Sequence, residues 1–177
     1  MRRDPLAKPD ELIRRVYSYV AYRIGPGSDA EDVTSETMLR AVRYRSSFDP
    51  KRGTPLSWLI GIARTCIADN QSARLQSVPE PPDLASGEDL AHEVVERLHV
   101  VAAVARLDPK DRELVALRYG ADLSTRQIAD LLEMTPNAVD VALHRCRARL
   151  RTELDGDAHT PVWQPRVARR PQVEPGR

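Results

Sequence analysis

Residues 124–151 read STRQIADLLEMTPNAVDVALHRCRARLR, and this pattern predicts a helix-turn-helix. Ser124 and Gln127 have the spacing of a capping box, so a helix is expected to begin there. Thr135 followed by Pro136 is a second start signal, because a hydroxyl cap precedes a ring that suits the first helical position. The stretch therefore predicts two short helices joined by a tight turn.

The second of these helices combines an apolar stripe with a basic exposed face. Apolar residues recur at i, i+4, i+7 and i+11, at Val139, Leu143, Cys146 and Leu150. Residues 136–151 hold four arginines against one aspartate. A basic helix of this kind suits the major groove of DNA. The alternative is a small helical hairpin whose basic face is only solvated.

Composition favours a helical protein with unevenly distributed charge. The chain has 177 residues, is 41% apolar and 5% aromatic, and is rich in Ala, Leu and Arg. The formal net charge is +1, but residues 1–75 carry +4, residues 76–107 carry −4, and residues 108–154 are neutral. The basic first part can meet nucleic acid, and the acidic stretch can face a protein or solvent.

Several function classes are disfavoured by what the sequence lacks. Cys66 and Cys146 lie on apolar stripes, belong to no CxxC pair, and are expected to be buried thiols. The sequence has no Gly-rich phosphate loop, no nucleophile motif and no zinc spacing, so we expect no enzyme activity, no cofactor and no metal. No apolar run is long enough to span a membrane, so we expect a cytoplasmic protein without membrane insertion.

Start signals and apolar spacing predict five further helices. They run from Asp10 to Ile24, from a cap at Ser28 or Asp29 to about Tyr44, from Pro55 to about Arg74, from Leu90 to Leu107, and from Pro109 to Gly120. On the first helix, the spacing assigns Ile13 to the packed apolar band.

Proline-rich stretches mark the domain boundaries. Residues 76–89 contain three prolines and a glycine and little apolar content, which predicts a flexible linker. Residues 155–177 contain four prolines and no periodicity, which predicts a disordered tail. The predicted fold is therefore all-α, with two small helical domains at residues 8–75 and 90–154.

Ordered motifs in both domains resemble one family. The first domain carries DAED at 29–32, LRA at 39–41, FD at 48–49, RG at 52–53, WL at 58–59, IAR at 62–64 and AD at 68–69. The second carries LDPKDRELVALRY at 107–119, ahead of the helix-turn-helix. In this order the motifs resemble regions 2 and 4 of the extracytoplasmic-function (ECF) class of bacterial RNA polymerase sigma factors, in the sigma-70 family. The resemblance covers about residues 10–154.

The resemblance implies an alternative sigma factor that directs promoter-specific transcription initiation. Its partners would be core RNA polymerase, through the β′ clamp helices and the β flap tip, promoter DNA, and an anti-sigma factor. Region 2 would bind polymerase and recognise and melt the −10 element, and region 4 would recognise the −35 element. The alternative is a stand-alone helix-turn-helix regulator that binds duplex DNA as a dimer, which would need a ligand or receiver domain in front.

The resemblance places −10 recognition on the loop at residues 46–54 and the helix after it. The candidate contacts are Ser47, Phe48, Asp49, Lys51, Arg52, Trp58, Arg64, Asn70 and Arg74. In this family such a loop captures a base flipped out of the duplex, which requires a preformed pocket to offset the lost stacking. Phe48 is either a wall of that pocket or a plug that seats the loop in the core, and Trp58 is either a stacking surface or a cap on the core.

Polymerase binding is assigned to the outer side of the second helix. The candidates are Asp32, Glu36, Leu39 and Arg40. Glu36 and Arg40 are one helical turn apart, with Asp32 one turn earlier, so this charged row can pair with a partner helix. A purely solvated face is the alternative.

The −35 candidates lie in the helix-turn-helix. They are Arg126, Thr135, Asn137, Asp140, Val141, His144, Arg145 and Arg149. Two positions depart from the family pattern. Asp140 stands in a short run that is usually basic, and an acid facing DNA repels phosphate unless it accepts from a cytosine amino group. Glu133 stands at a turn position that usually holds glycine, and a left-handed conformation there would cost about 1 kcal/mol.

Overall fold

The computed structural model describes residues 4–76 and 100–157, and all regular structure in these ranges is helical. In chain order the elements are α1 (Pro9–Ile24), α2 (Ser28–Arg43), a 3-10 turn (Arg45–Ser47), α3 (Pro55–Gln76), α4 (residues 100–106), α5 (Pro109–Val115), a π turn (Ala116–Gly120), α6 (Thr125–Leu132) and α7 (Pro136–Asp157). The prediction of an all-α fold is confirmed. The predicted linker after residue 76 and the tail after residue 157 lie outside the described ranges.

The helix starts are capped largely as the sequence predicts. The Ser124 hydroxyl accepts from the Gln127 N–H at 3.3 Å, and the Gln127 side chain accepts from the Ser124 N–H at 2.9 Å, so the capping box is present. The Thr135 hydroxyl accepts from the Ala138 N–H at 3.2 Å and caps α7. These signals are local, which explains why sequence alone locates them.

The start of α2 differs from the prediction. Neither Ser28 nor Asp29 caps the helix, because Ser28 is already its first residue and Gly27 occupies the cap position. Gly27 has a φ of 123°, a conformation that glycine adopts readily, and this brings the chain into the helix early. Asp29 instead forms an ion pair with Arg74 near the end of α3, which ties the two helices together.

The N-terminal helices α1, α2 and α3 form a three-helix unit around an aliphatic core. Its fully buried members include Val16, Val20, Ala30, Leu59, Ile60 and Ala63. Thr37 is also fully buried, and its hydroxyl donates to the Val33 carbonyl at 2.7 Å, so no polar atom of this side chain is left unpaired in the core.

The C-terminal helices α4 to α7 form a second unit. The predicted stripe of α7 faces inward, with Val139, Leu143 and Cys146 buried and Leu150 half-buried. Both cysteines of the chain are buried free thiols, as predicted. Helix α7 continues to Asp157, three residues beyond the predicted end of the domain.

The two units pack directly against each other, and their buried residues form one continuous cluster. Helix α1 lies between them, with one face on α2 and α3 and another on the π turn at Ala116–Gly120. This explains an error in the predicted apolar band, since Ile13 is 41% exposed whereas Tyr19 is fully buried. The sequence pattern did not indicate this second buried face.

Candidate nucleic-acid and protein interfaces

The loop between α2 and α3 is anchored by an aromatic pair. Phe48 is only 8% exposed, and its ring lies 5.6 Å from the ring of Trp58 at an interplanar angle of 57°. The Phe48 ring is therefore buried beside Trp58, and the choice between a wall of the base pocket and an anchor of the loop stays a prediction. Trp58 is half-buried near the start of α3, and its ring packs against the Phe48 ring of the loop.

Polar contacts hold the same loop in a tight conformation. The Ser47 hydroxyl donates to the Tyr44 carbonyl at 2.8 Å, and Asp49 Oδ1 accepts from the Lys51 N–H at 3.0 Å. At the far end, the Thr54 hydroxyl accepts from the Ser57 N–H at 3.2 Å and caps α3. The side chains of Lys51 and Arg52 are left exposed, so a rigid loop presents two cations to solvent.

The polar residues predicted on α3 have different surroundings. Asn70 is half-buried, and Arg74 is exposed but held by Asp29. Arg64 is also exposed, yet its Nε lies 3.3 Å from Glu113 Oε1 in the C-terminal unit. Arg64 thus combines a candidate DNA contact with an ion pair between the two units.

The outer side of α2 carries a charged row beside an apolar patch. Arg40 Nε contacts Glu36 Oε1 at 2.6 Å, and Arg40 Nη1 contacts Asp69 Oδ2 at 2.8 Å. The hydrogen bonds that Arg40 donates to these two carboxylates, to Glu36 first, raise the pKa of Arg40 above its ordinary value. Asp32 is exposed one turn before Glu36, as the sequence predicts.

The apolar patch on α2 is larger than the sequence indicated. Leu39 is 65% exposed, Val42 is 62% exposed and Tyr44 is 52% exposed. Of these three residues, the sequence assigns only Leu39 to polymerase binding. Exposed apolar side chains grouped on one helix end are typical of protein contacts. The signal for Val42 is its position three residues after Leu39, which places both on one helical face.

The helix-turn-helix has the predicted geometry, including a left-handed turn. Glu133 ends α6 with φ 54° and ψ 42°, and the Met134 N–H donates to the Ala129 carbonyl at 2.9 Å. The predicted left-handed residue is therefore present without glycine. On α7, a row of side chains is exposed along the predicted reading face: Asn137, Asp140, Val141, His144 and Arg145. Arg126 is exposed near the start of α6.

Two of the predicted reading residues are engaged within the unit. Asp140 Oδ1 accepts from the Thr125 hydroxyl at 2.9 Å. Arg149 Nη1 lies 3.1 Å from Asp108 Oδ2 and also contacts Asp111. Asp108 caps α5, and the backbone N–H of Asp111 is the main cause that lowers the pKa of its carboxyl. Arg149 therefore braces α7 against α5 as well as offering a cation.

The buried thiol of α7 is chemically quiet. Burial raises the pKa of Cys146 to about 12, and the Asp111 carbonyl accepts a long contact from its Sγ at 4.0 Å. Within residues 4–76 and 100–157, His, Cys, Asp and Glu form no group of three or more that could hold a metal ion. No helix of the described part is both long and apolar enough to cross a bilayer.

The junction between the two units centres on a buried carboxylate. Glu113 is 8% exposed, and its Oε1 accepts from the Tyr19 hydroxyl at 2.9 Å and pairs with Arg64. Its Oε2 contacts Arg23 as an ion pair rather than as an aligned hydrogen bond. Burial, followed by the negative charge of Glu113, raises the pKa of Tyr19 well above its ordinary value. Sequence reasoning missed Tyr19, Arg23 and Glu113.

Comparison with known protein families gives two matches in chain order. Residues 10–74 match the Sigma-70 region 2 model, and residues 97–150 match the Sigma-70, region 4 model. Two curated relatives cover most of this chain. ECF RNA polymerase sigma factor BldN of Streptomyces coelicolor is 32% identical over 84% of this chain, which spans 60% of BldN. ECF RNA polymerase sigma factor SigL of Mycobacterium tuberculosis is 30% identical over 82% of this chain, which spans 85% of SigL.

Solved structures show the same arrangement of helices. The sigma factor RpoE of Bartonella quintana, in complex with the anti-sigma factor NepR, aligns with a TM-score of 0.63 over 82% of this chain and 93% of its own, at 19% identity. CnrH, in complex with the cytosolic domain of CnrY, aligns with a TM-score of 0.58 over 86% of both chains, at 25% identity. The first likeness, at this low identity, shows a shared fold.

Proposed function

Because the chain belongs to the ECF class of the sigma-70 family, we propose that it is an alternative sigma factor that binds core RNA polymerase and directs promoter-specific initiation. The observation that carries this proposal is the 30% identity to SigL, which extends over 85% of that relative and includes both sigma regions in order. The role is one of binding and positioning. It would place the protein in the bacterial cytoplasm, on the nucleoid while bound to polymerase.

We assign the −10 element to the first domain, residues 8–75. The loop anchored by Phe48 is tight and presents the exposed cations Lys51 and Arg52, so it is suited to hold a flipped base beside the strand phosphates. The other contacts in this assignment are Ser47, Asp49, Trp58, Arg64, Asn70 and Arg74. A preformed loop supports this role, because a pocket that is already ordered can capture an unstacked base without the further cost of ordering the loop.

We assign core polymerase to the outer side of α2. Asp32, Glu36 and Arg40 offer charges for complementary pairing with the β′ clamp helices. The exposed apolar side chains Leu39 and Val42 add area that burial in an interface would stabilise. This combination of a charged row and an apolar patch supports a protein contact over a merely solvated helix.

We assign the −35 element to the second domain, residues 90–154, with α7 in the major groove. The exposed side chains of Asn137, Val141, His144 and Arg145 would read base edges, with Asp140 held beside them by Thr125. Arg126, Thr135 and Arg149 would contact phosphates. The same domain would contact the β flap tip. The relatives RpoE and CnrH were solved with an anti-sigma factor and with CnrY, respectively, so we also propose an anti-sigma partner for this chain.

Run-off transcription with purified core polymerase and a library of promoter fragments tests the assignment. We expect discrete transcripts that require both this protein and core enzyme. Leu39→Glu should reduce the transcript yield at least about tenfold, because it places a charge in a desolvated contact. Ile13→Glu is the matched control, since it changes an apolar residue that is also exposed, on a different helix. Binding to duplex DNA without polymerase, and no transcripts with it, would instead identify a stand-alone regulator.

A further inference from the structure

The last part of α3 lies beyond the apolar core. Ile67 is 2% exposed and is the last buried residue among the described side chains of the helix. Every described side chain from position 68 to position 74 is exposed or half-buried. A helix end without buried apolar contacts opens readily, since little free energy opposes its local unfolding. This segment therefore needs contacts of another kind to keep a fixed position.

The same segment carries two of the proposed −10 contacts. Asn70 and Arg74 are four residues apart, so they lie one turn from each other on one face of α3. Both would have to meet the DNA strand at set positions, because a hydrogen bond weakens steeply when its length and angle change. The −10 contacts of this segment thus depend on how its position is fixed.

Two ion pairs connect this segment to α2. Arg74 contacts Asp29 at the start of α2, and Asp69 Oδ2 accepts from Arg40 Nη1 at 2.8 Å. The two pairs are separated along both helices, at positions 29 and 40 of α2 and at positions 74 and 69 of α3. Two separate points of attachment fix the direction of a helix as well as its distance from its neighbour.

The two ion pairs differ in what DNA binding would do to them. The Arg74 guanidinium is itself a proposed DNA contact, so a strand phosphate would compete with Asp29 for it. Asp69 is not among the proposed contacts, and its pair with Arg40 can stay in place while the strand binds. The Arg40–Asp69 pair is therefore the attachment that remains available throughout promoter recognition.

Arg40 is held in the orientation that this attachment requires. Its Nε donates to Glu36 Oε1 at 2.6 Å on the same helix, while its Nη1 donates to Asp69. The Arg40 side chain is 28% exposed, so the guanidinium is largely covered. Charge-assisted bonds of this length are strong ones, and the rigid guanidinium fork loses little freedom for each bond that it forms. Glu36, Arg40 and Asp69 thus form a continuous chain from the charged row of α2 to α3.

We propose, on the basis of the sigma-factor function above, that Asp69 is a positioning residue for −10 recognition. Acting through Arg40, Asp69 fixes the end of α3 against the polymerase-binding side of α2. The helix that polymerase holds would in this way present Asn70 and Arg74 to the −10 strand. The Asp69 carboxylate itself contacts neither DNA nor polymerase in this role.

The full-length protein with core polymerase tests this role through two separate quantities. One is the affinity for core enzyme. The other is promoter opening by holoenzyme formed at saturating core enzyme, followed by a fluorescent base analogue in the −10 element. Asp69→Asn should leave the affinity for core enzyme within about twofold and reduce opening at least about fivefold, because the contacts are displaced. The sign is informative, since removal of a negative charge near DNA would by itself favour DNA binding.

Matched variants separate positioning from charge and from folding. Asp10→Asn removes the same charge from an exposed position on α1 and should leave both quantities unchanged. Asp69→Glu keeps the carboxylate and should retain opening within about twofold. The exchange of Arg40→Asp with Asp69→Arg should recover most of the opening that Arg40→Asp alone loses, since a guanidinium on α3 then meets Glu36 and the new carboxylate of α2. Helical circular dichroism and a Tm above the assay temperature establish that each variant is folded.

The possible outcomes are distinct. Unchanged opening with Asp69→Asn would overturn the proposal. A loss of core affinity with normal opening at saturating core enzyme would also overturn it, because Asp69 would then act in polymerase docking. A loss of opening that the exchange does not repair would overturn it as well, since it would indicate that Asp69 contacts DNA directly. If the unchanged protein opened no promoter with core enzyme, the sigma function itself would be removed, and this role with it.

Discussion

The Asp140 carboxylate accepts a hydrogen bond from the Thr125 hydroxyl at 2.9 Å, and this bond joins the first turn of α6 to the second turn of α7. Asp140 is therefore a link between the two helices of the helix-turn-helix. This gives a structural reason for an acid on a surface that we propose to face phosphates. The negative charge of Asp140 remains, however, and it offsets part of the positive charge of the arginines further along α7.

Asp140→Asn separates these two effects, because the amide oxygen still accepts from Thr125 while the charge is removed. We expect the variant holoenzyme to bind duplex DNA about two- to fivefold more tightly, the range given by an exposed charge contact of roughly 0.5–1 kcal/mol. The measurement is promoter binding by the holoenzyme over a series of salt concentrations, and the gain should shrink as salt rises.

The control for Asp140→Asn is Asp10→Asn, which removes the same charge from the first turn of α1. The holoenzyme that carries Asp10→Asn should bind promoter DNA with unchanged affinity. A loss of affinity for the cognate promoter alone would contradict the prediction, since it would mean that Asp140 itself accepts from a cytosine amino group.

Glu133 ends α6 in a left-handed conformation that costs a non-glycine residue about 1–2 kcal/mol. Glu133→Gly should therefore stabilise the protein, by about 0.5–1 kcal/mol after the greater entropy of glycine in the unfolded chain is subtracted. Thermal unfolding should show a rise in Tm of about 1–3 °C. Asp122→Gly, at the other non-glycine residue with a positive φ in the described part, should gain less, because aspartate tolerates this conformation and Arg15 pairs with it. Equal Tm changes in both variants would argue against backbone strain as the cause.

Asp108 should make stability depend on pH through the cap of α5. Its pKa is lowered in the folded protein, chiefly by the Asp111 N–H, with the Lys110 N–H and Arg149 contributing. The stabilisation is therefore fully present above the unfolded pKa of about 3.9 and is lost as pH falls through the lower folded value. Asp108→Ala should lower Tm by about 2–4 °C near neutral pH, as is typical for a lost cap, and by less in acid. If the Tm difference between the variant and the unchanged protein instead grew as pH fell, the prediction would be contradicted.

Substitutions at Phe48 test whether its ring anchors the loop or contacts a base. Phe48→Ala should destabilise the protein by about 3 kcal/mol, because the ring is buried against Trp58. Lys51→Ala, which removes an exposed side chain in the same loop, should change stability by less than about 0.5 kcal/mol. Phe48→Leu should keep most promoter opening, measured by fluorescence of a base analogue in the −10 element. Loss of opening with a stably folded Phe48→Leu would show that the aromatic ring itself is required.

Local signals in the sequence were sufficient for much of the fold. The capping box at Ser124 and the cap at Thr135 depend on residues within one turn, so a single sequence reveals them. The charged row of Glu36 and Arg40 follows from helical spacing for the same reason. Only the coordinates show that the Phe48 ring is buried, because the sequence does not distinguish a buried ring from an exposed one.

The junction could not be predicted, because its members are far apart in the chain. Tyr19 and Glu113 are separated by 94 residues, and no periodicity joins them. The error at Ile13 has the same origin. A helix with two buried faces has no single apolar band, so spacing alone assigned the wrong residue to the core.

The position of α1 between the two units also sets an order of events during synthesis. Glu113 leaves the ribosome 94 residues after Tyr19, which is roughly 5–20 s later at a translation rate of about 5–20 residues per second. Helices α2 and α3 can cover the first face of α1 early in that interval. The other face stays open until the C-terminal helices have been made, so a nascent chain presents it to the cell before the chain's own Glu113 can occupy it.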